Sequence, residues 1–460
     1  MTLRTKALRG GAVLAGRQGV GMVLSLLSLL LVTRVIGPSN YGVYVVAASL
    51  QSYLFSLSLL GLNVYLIRNE TVPSAYEYNV AATLMFAVGT GLALLTFFSL
   101  PLLETTFKLP HFGAVLPLML LALPVQLLGI TAIAQLERDL NYERVALAEL
   151  IIQVVNMLVA VAMAWQGFGA VAPALGVLTS QLVGLPLLLW FSGRRLKPGW
   201  DSTLVRQMLS YGLAYAAANW VWQLRQLVNP LIVARFLGAE AVGIIALAIR
   251  FVDLLSFAKS ATYRIALSAL SKMQDDKQRI RKAVTEGAGL QVLAVGPFLV
   301  MFALVAPLVL PKFFGASWAA SMTIFPFIAL GVLVNAVFNL HSSVLYVFKR
   351  NLDVALFHVV HIMLFALSAY LLVPRYGVIG YGWAEVVGIL AYIVIHTLIV
   401  RQVGSPNYKL AAFWGLPCAL ALFTHFIGPL ALVPLTVVVI MPYTRRTLKK
   451  YAGQMRLRHG

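Results

Sequence analysis

The chain is poor in charge. Of its 460 residues 11% are Asp, Glu, Lys or Arg and 60% are hydrophobic, where a soluble domain carries about 25% charged residues. A water-facing surface cannot be built from so few, so most of the outer surface must face lipid. Cys418 is the sole cysteine, which excludes a disulfide within the chain and a thiolate metal cluster. Long polar stretches are also missing. The longest gap between apolar runs lies around Tyr263–Lys282, so nothing outside the membrane is large enough to fold alone and function must sit within the bilayer. The formal net charge of +20 does not point to nucleic acid. A basic binding domain carries a Lys/Arg stripe on a polar body, and here the charges sit at the edges of apolar runs.

What is present is a series of such runs. Crossing the ~30 Å hydrocarbon core takes about 20 apolar residues as a helix. Candidate spans are 11–36, 41–65, 79–103, 112–135, 145–166, 171–192, 205–237, 242–262, 285–310, 319–343, 351–373, 377–400, 411–427 and 428–443. The last two are separated by a weak break at Gly428-Pro429. The basic stretch Met1–Arg9 resembles the start of a signal peptide, but the run Gly11–Ile36 is too long for one and reads as a retained first span.

These spans, about fourteen in all, place both ends on one side. Of the 35 Lys and Arg, only Lys108, Lys312 and Arg375 fall in loops on the opposite side. The first side holds Arg4, Lys6 and Arg9, then Arg194, Arg195 and Lys197, the cluster Lys272, Lys277, Arg279, Arg281 and Lys282, and finally Arg445, Arg446, Lys449 and Lys450. The positive-inside rule makes that side cytoplasmic, and one missed span would scramble the asymmetry downstream of it. The expected fold is an all-α integral membrane protein of about 14 helices.

The sequence also repeats. Arg34-Val-Ile-Gly37-Pro-Ser-Asn-Tyr-Gly42 aligns with Arg235-Phe-Leu-Gly238-Ala-Glu-Ala-Val-Gly243, with Val32 and Ala47 matching Val233 and Ala248. A fainter echo links Phe168-Gly169 with Tyr376-Gly377. The period equals six spans, an even number, so the halves share one orientation. Parallel repeats of this kind build transporter halves that rock about a site at their interface. The organisation expected is a six-helix lobe over 1–200, a second over 201–402, and two extra helices with a basic tail over 403–460.

The run Leu31-Val-Thr-Arg34-Val-Ile-Gly37-Pro-Ser-Asn-Tyr41-Gly42-Val-Tyr44 resembles the N-terminal signature of the Wzx-like oligosaccharide flippases, of the multidrug/oligosaccharidyl-lipid/polysaccharide exporter superfamily. Arg235–Gly243 is similar to their second-half signature, and Glu137-Arg138-Asp-Leu-Asn-Tyr-Glu-Arg144 is similar to the stretch after their fourth helix. The resemblance implies an inverted-V bundle of two lobes that moves undecaprenyl-diphosphate-linked sugars between leaflets. Many relatives carry an Asp-Arg pair shortly before the second signature. This chain has Asn229-Pro230 there, which shifts the cationic task to Arg225.

A diphosphate headgroup needs cations, and the planar fork of arginine binds phosphate oxygens in pairs. A charge inside a span persists mainly where it meets a wet cavity or a partner. Arg225 is the deepest candidate, about 20 Å from the Gly238 turn at 1.5 Å per residue, with Pro230 set to kink its helix. Arg17 sits where a headgroup would enter, with snorkelling to the interface as the alternative. Arg34 and Arg235 end their helices, where an arginine also complements the helix dipole. Arg250 and Asp253 share one helix face and can neutralise each other, and Lys259 lies nearer the cytoplasm. Glu149, His358, His361, Glu385 and His396 are protonatable groups inside spans. Of these His358, His361 and Glu385, with Asp253, are the candidates for ion coupling, packing being the alternative. No metal site is expected, since His358 and His361 lack a third ligand. Asp275-Asp276, beside Lys277 and Arg279, reads as a solvated face.

The expected function is alternating-access export of a polyprenyl-diphosphate-linked oligosaccharide, with Arg17, Arg225 and Arg250 receiving the headgroup. Trp220 and Trp222 are available to stack on sugar rings. No cofactor and no covalent chemistry are required, so an enzyme is not expected. Expected partners are the lipid-linked oligosaccharide, membrane lipids, and a polysaccharide polymerase and glycosyltransferases. A multidrug exporter of the same superfamily would need acidic cavity residues, and the chain has 15 Asp and Glu in all. A membrane glycosyltransferase or polymerase would need a sizeable outer loop. A non-transporting scaffold leaves the intramembrane arginines without a task.

Overall fold

The computed structural model describes residues 3–257, 259, 270, 273, 275–444 and 446–447. Arg4, Lys6, Arg9, Lys272, Arg445, Lys449 and Lys450 lie outside the residues whose side chains are described. Among the described residues every regular element is helical. The chain runs α1 (Leu3–Leu59), α2 (Leu62–Arg68), α3 (Ala75–Phe98), α4 (Leu100–Phe107), α5 (Phe112–Arg138), α6 (Tyr142–Trp165), α7 (Val171–Ser192), α8 (Ser202–Leu224) and α9 (Ala234–Leu255). It continues through α10 (Lys277–Phe314), α11 (Ser321–Val347), α12 (Asn351–Ile389), α13 (Tyr392–Val403), α14 (Lys409–Leu422), α15 (Thr424–Ile427) and α16 (Val433–Ile440).

Helices dominate because lipid offers no hydrogen bonds, and a helix satisfies its own backbone. Nine helical stretches among the described residues are long and apolar enough to cross a membrane, and two shorter apolar ones follow. Three of the nine exceed 40 residues, enough for two crossings: Gly16–Leu59, Tyr215–Leu255 and Asn351–Val403. Each is interrupted by a glycine outside helical conformation, namely Gly37 (φ 74°, ψ 174°), Gly238 (φ 79°, ψ −173°) and Gly377 (φ 60°, ψ −140°). Side chains rarely adopt this left-handed φ with extended ψ, which glycine alone reaches without strain. Splitting the three and adding the two short helices gives the fourteen crossings read from the sequence. The expected break at Gly428 is also present (φ 94°), between α15 and the 3₁₀ turn Pro429–Leu432.

The two signatures that repeat in sequence repeat in conformation, as the near-equal angles at Gly37 and Gly238 show. The fainter echo also holds at the backbone, with positive φ at both Gly169 (53°) and Gly377 (60°). The seventh span is less regular than expected. After α8 the chain tightens into a 3₁₀ turn at Arg225–Leu227, then loosens into a π-helix at Asn229–Val233. Pro230 lacks an N–H and its ring displaces the carbonyl four residues earlier, which accounts for the change of winding.

By internal contacts the chain divides into two compact units. The first comprises Met1–Ala246 and Phe313–Trp318, the second Leu247–Lys312 and Ala319–Gly460. The repeat divides the chain by sequence at 200/201, whereas contacts assign α8 and the start of α9 to the first unit.

Within the first unit, glycine permits two close helix contacts. A Cβ on Gly42 would overlap the Ala239 carbonyl oxygen, and one on Gly243 would overlap that of Pro38. The two repeated signatures therefore pack backbone to backbone. At the other end of the second crossing, Gly61 and Gly212 meet in the same way, a Cβ on Gly61 overlapping the Gly212 carbonyl oxygen and one on Gly212 that of Leu60. The short turn Ala316–Trp318 also belongs to this unit. Trp318 is fully buried, its indole N–H donates to the Thr33 carbonyl (3.3 Å), and its ring meets that of Tyr41 edge-on at 5.8 Å. Arg138, at the end of α5, donates to the carbonyls of Leu66, Ile67, Asn69 and Thr71 at 2.8–3.1 Å, satisfying the groups that the end of α2 leaves open. The second unit is held by apolar packing of α10, α11 and α13 through Val284, Leu340, Val344, Ile399 and Val403, and by a ring cluster of Phe327, Trp383, Phe423 and Phe426.

Gly42→Ala and Gly243→Ala are each expected to cost about 1–3 kcal/mol, the usual penalty of overpacking, read as a lower thermal midpoint in detergent. Gly91→Ala is the control: a Cβ there meets nothing within 4 Å, and stability should hold or rise slightly.

Candidate functional site

In the first unit the polar groups inside the helices meet one another. Arg17 on α1 pairs with Glu149 on α6 at 2.7 Å, each side chain less than a third exposed (29% and 32%). One turn along α6, Gln153 donates to the Gly21 carbonyl (2.6 Å) and the Ser25 hydroxyl (2.8 Å). Farther along α1, Gln51 donates to Gln126 of α5 (2.9 Å). Ser56 accepts from Asn219 of α8 through its hydroxyl and from the Trp220 indole through its carbonyl, both at 2.8 Å. An unpaired polar group in an apolar interior costs several kcal/mol, so these contacts fix the registers of α1, α5, α6 and α8. The guanidinium of Arg17 keeps its Nε without a hydrogen-bond partner among the described residues.

Arg225 is half-buried and sits at the 3₁₀ turn where α8 ends. One turn on, Asn229 is 4% exposed. Its amide nitrogen is 3.5 Å from the Val242 carbonyl, and its Oδ1 has no hydrogen-bond partner among the described residues. Arg34 and Arg235 are exposed, each one turn before its signature glycine, and Arg235 lies 5.8 Å from the Phe236 ring.

The second unit carries the remaining candidates. Arg250 and Asp253 are exposed on α9, and Lys259 is half-buried. On α12, His358 lies against Phe357 (5.0 Å between rings), while His361 is buried between Phe357 (6.0 Å) and Tyr392 (5.9 Å). Glu385 is 3% exposed, and one turn on, Gly388 lets the His361 ring approach its backbone. No group of three or more His, Cys, Asp or Glu among the described residues is placed to hold a metal ion. The first turns of α10 border a cavity of about 600 Å³ lined by Asp276, Arg279, Arg281, Lys282, Thr285 and Asn407, the basic face expected from the sequence.

Sequence reasoning missed three features. Arg194 was counted as a loop charge, yet it bonds Gln135 (3.2 Å) and Asn79 (3.3 Å) and lies over the Tyr78 ring at 4.3 Å. Burial lowers its pKa from the usual arginine value, and Tyr78 partly offsets this. Arg138 stood in a quoted motif without a role, and its task is the carbonyl clamp described above. His341, overlooked among the groups inside spans, is joined to His396 through Tyr408 (2.7 and 2.9 Å). A lone histidine in an apolar run gave no sign of it, although a tyrosine just before a helix near a second histidine was a weak one.

Comparison with known proteins places this arrangement. The sequence model of a family described as polysaccharide biosynthesis protein matches residues 31–323. The succinoglycan biosynthesis transport protein ExoT of Rhizobium meliloti is 26% identical over 320 residues, a match covering 67% of this chain and 62% of that protein's length. The lipopolysaccharide biosynthesis protein WzxC of Escherichia coli is 22% identical over 436 residues, covering 92% of this chain and 87% of its own. Among solved structures, the lipid II flippase MurJ in an inward closed conformation superposes with a TM-score of 0.75 at 14% identity, covering 93% of this chain and 96% of its own.

The Arg17–Glu149 pair yields a direct test. Reversing either charge alone (Arg17→Glu or Glu149→Arg) should lower the thermal midpoint. Reversing both should recover most of the loss, with a coupling of about 1 kcal/mol for a partly exposed pair. Additive losses would show that the contact contributes nothing.

Proposed function

Because the chain belongs to the polysaccharide biosynthesis protein family, we propose that it is a flippase carrying a polyprenyl-diphosphate-linked oligosaccharide from the cytoplasmic to the outer leaflet of the inner membrane. The observation that carries the reading is family membership over residues 31–323, with the likeness to a succinoglycan transport protein and a lipopolysaccharide biosynthesis protein beside it; the superposition on the lipid II flippase MurJ supports the fold. Both ends face the cytoplasm, as the distribution of Lys and Arg favours. The route is alternating access between two lobes, which the conformational repeat at Gly37 and Gly238 supports. Function of this kind needs no covalent step.

Arg225 is the first residue to receive the diphosphate in this reading. It is half-buried where the helix changes winding, and a cation at that depth is stabilised by an anionic ligand. Arg17 already has a carboxylate partner in Glu149, so its charge acts on substrate only as that pair opens. Arg250, with Lys259, adds positive charge in the second unit, and Arg34 and Arg235 act at the signature turns. Asp253, His358, His361 and Glu385 remain the proposed ion-coupling groups from the sequence, Glu385 and His361 being the buried ones. A polymerase and glycosyltransferases are the partners such a carrier would serve. A drug exporter holding cationic compounds is less well supported, because the deep ionisable groups of the first unit are mostly cationic or already paired.

The test is headgroup translocation in proteoliposomes with a lipid-diphosphate oligosaccharide. Wild type should flip it, and Arg225→Ala should reduce the rate at least about tenfold, the effect of losing roughly 1.4 kcal/mol. A variant that folds and flips normally removes Arg225 from the site and leaves the flippase reading standing. Failure of wild type with the native glycan and an imposed proton gradient would turn the reading toward a drug exporter or a scaffold.

A further inference from the structure

On α10 the residues Gln278, Arg281, Lys282 and Thr285 stand at positions i, i+3, i+4 and i+7, which puts them on one face of the helix. That face is polar. Beside it Ile280 and Val284 are fully buried and pack with Leu340 of α11 and with Ile399 and Val403 of α13, so the apolar side fixes where the polar side points. Opposite the stripe runs the turn that joins α13 to α14. Gly404 (φ 80°) ends α13, and a Cβ there would lie 3.1 Å from Arg281 Nη1. Farther along the turn, Thr285 Oγ1 accepts from the Asn407 N–H (3.0 Å) and donates to the Arg281 carbonyl (2.9 Å), while Asn407 Oδ1 accepts from the Lys409 N–H (2.9 Å). The turn is thus tied to the helix at one point and bare of side chain at another. Helix and turn together line the cavity of about 600 Å³.

The lining carries three cations, Arg279, Arg281 and Lys282, and one carboxylate, Asp276, an excess of two positive charges. Asp276 is already engaged: its Oδ1 accepts from the Arg279 N–H at 2.9 Å, at the start of α10. The excess charge therefore sits on side chains and not on an open helix end. None of the three cations forms an ion pair among the described residues. Gln278, Ser405 and Asn407 add amide and hydroxyl donors, and no lining residue is aromatic or purely aliphatic. A nucleobase has no ring to stack on there, and an acyl chain has no apolar wall. Phosphate is the chemistry such a lining suits. The planar arginine fork takes two of its oxygens, and an ammonium and neutral donors take the others. The volume falls in the range of small-ligand sites, about 300–1,000 Å³, and is larger than a bare phosphate ion needs. Position selects the source. The cavity borders the start of one membrane-length helix, Lys277–Phe314, and the end of another, Asn351–Val403, which is headgroup level. Basic pockets at such helix ends bind anionic headgroups.

We propose that this cavity binds the phosphate headgroup of an anionic membrane phospholipid, with Arg281 and Lys282 as its main contacts and Arg279 adding charge. The acyl chains stay in the bilayer beside α10 and α13. No covalent step is involved. A bound headgroup joins the start of α10 to the turn after α13 through a shared anion, in addition to the Thr285–Asn407 tie. Such a site depends on the membrane-spanning fold alone, and it stands whether or not the chain moves an oligosaccharide.

The test is native mass spectrometry of the full chain released from neutral-detergent micelles that hold equal amounts of phosphatidylglycerol and phosphatidylcholine, each bound lipid being counted by its mass. In wild type the first lipid retained should be phosphatidylglycerol, favoured over phosphatidylcholine about tenfold or more. Arg281→Ala together with Lys282→Ala should cut that retention about tenfold or more, since a basic side chain at a membrane surface is worth roughly a fivefold factor. Arg281→Lys keeps the charge and loses the fork, and should fall between the two. Arg401→Ala together with Lys409→Ala removes the same charge from exposed positions outside the cavity and should leave the first lipid in place. Equal retention of the two lipids, indifference to the Arg281 and Lys282 changes, or an equal loss from the Arg401 and Lys409 changes would each overturn the proposal. Inorganic phosphate in the same molar amount separates the sources: if it displaces phosphatidylglycerol, the cavity takes the free ion and the lipid assignment falls. All four side chains are exposed, so their removal should leave the fold intact. Should the Arg281 and Lys282 double variant not fold, Arg281→Lys decides by the same comparison, retention equal to wild type overturning the site.

Discussion

A chain in hydrocarbon must supply its own hydrogen bonds. Every carbonyl and N–H that leaves a helix needs a partner from the protein, because the solvent offers none. Where this chain turns back, it therefore breaks its helices at single glycines and resumes within a residue, as at Gly37 and Gly238. Where a longer interruption occurs, between α2 and α3, the guanidinium of Arg138 gathers four carbonyls at once. The same requirement explains the polar contacts of the first unit. Arg17 with Glu149, Gln51 with Gln126 and Ser56 with Asn219 are pairs because a lone member would be left unsatisfied.

Glycine does a second task in the same places. The residues that let the backbone turn at Gly37 and Gly238 are followed five positions later by Gly42 and Gly243, which let the two turned segments touch. Turning and touching are separate demands, one on dihedral angles and one on space. A repeat that meets both conserves two glycines per copy for two different reasons, and the spacing between them is the length needed to bring the second one over its counterpart. At the far end of the same crossing Gly61 (φ 73°) meets both demands and Gly212 only the demand for space, and no sequence echo marks them.

Legibility in the sequence follows from this division. The helical class, the number of crossings and the Gly428 break depend on local composition and backbone freedom, and they can be read directly. The repeat can be read because the turn residues recur at fixed spacing. The partners cannot. Glu149 was noted as a charge inside a span, but nothing in its neighbourhood names Arg17, which lies far away in sequence. Arg194 looked like one more cytoplasmic charge until its contacts with Asn79, Tyr78 and Gln135 were visible. Pro230 announced a kink, but a 3₁₀ turn followed by a π-helix depends on how the flanking helices are held. His341 was invisible because its partner Tyr408, and His396 beyond it, come from other parts of the chain.

Trp318 has a bearing on synthesis. Its indole fills the first unit beside Tyr41 and bonds the Thr33 carbonyl, but it is made long after the rest of that unit has left the ribosome. Until then the Thr33 carbonyl and the Tyr41 ring lack this partner. The last piece of the first half is thus delivered by the second. A chain that stops short of Trp318 therefore lacks the ring that meets Tyr41, and the first unit is complete only with residues 313–318.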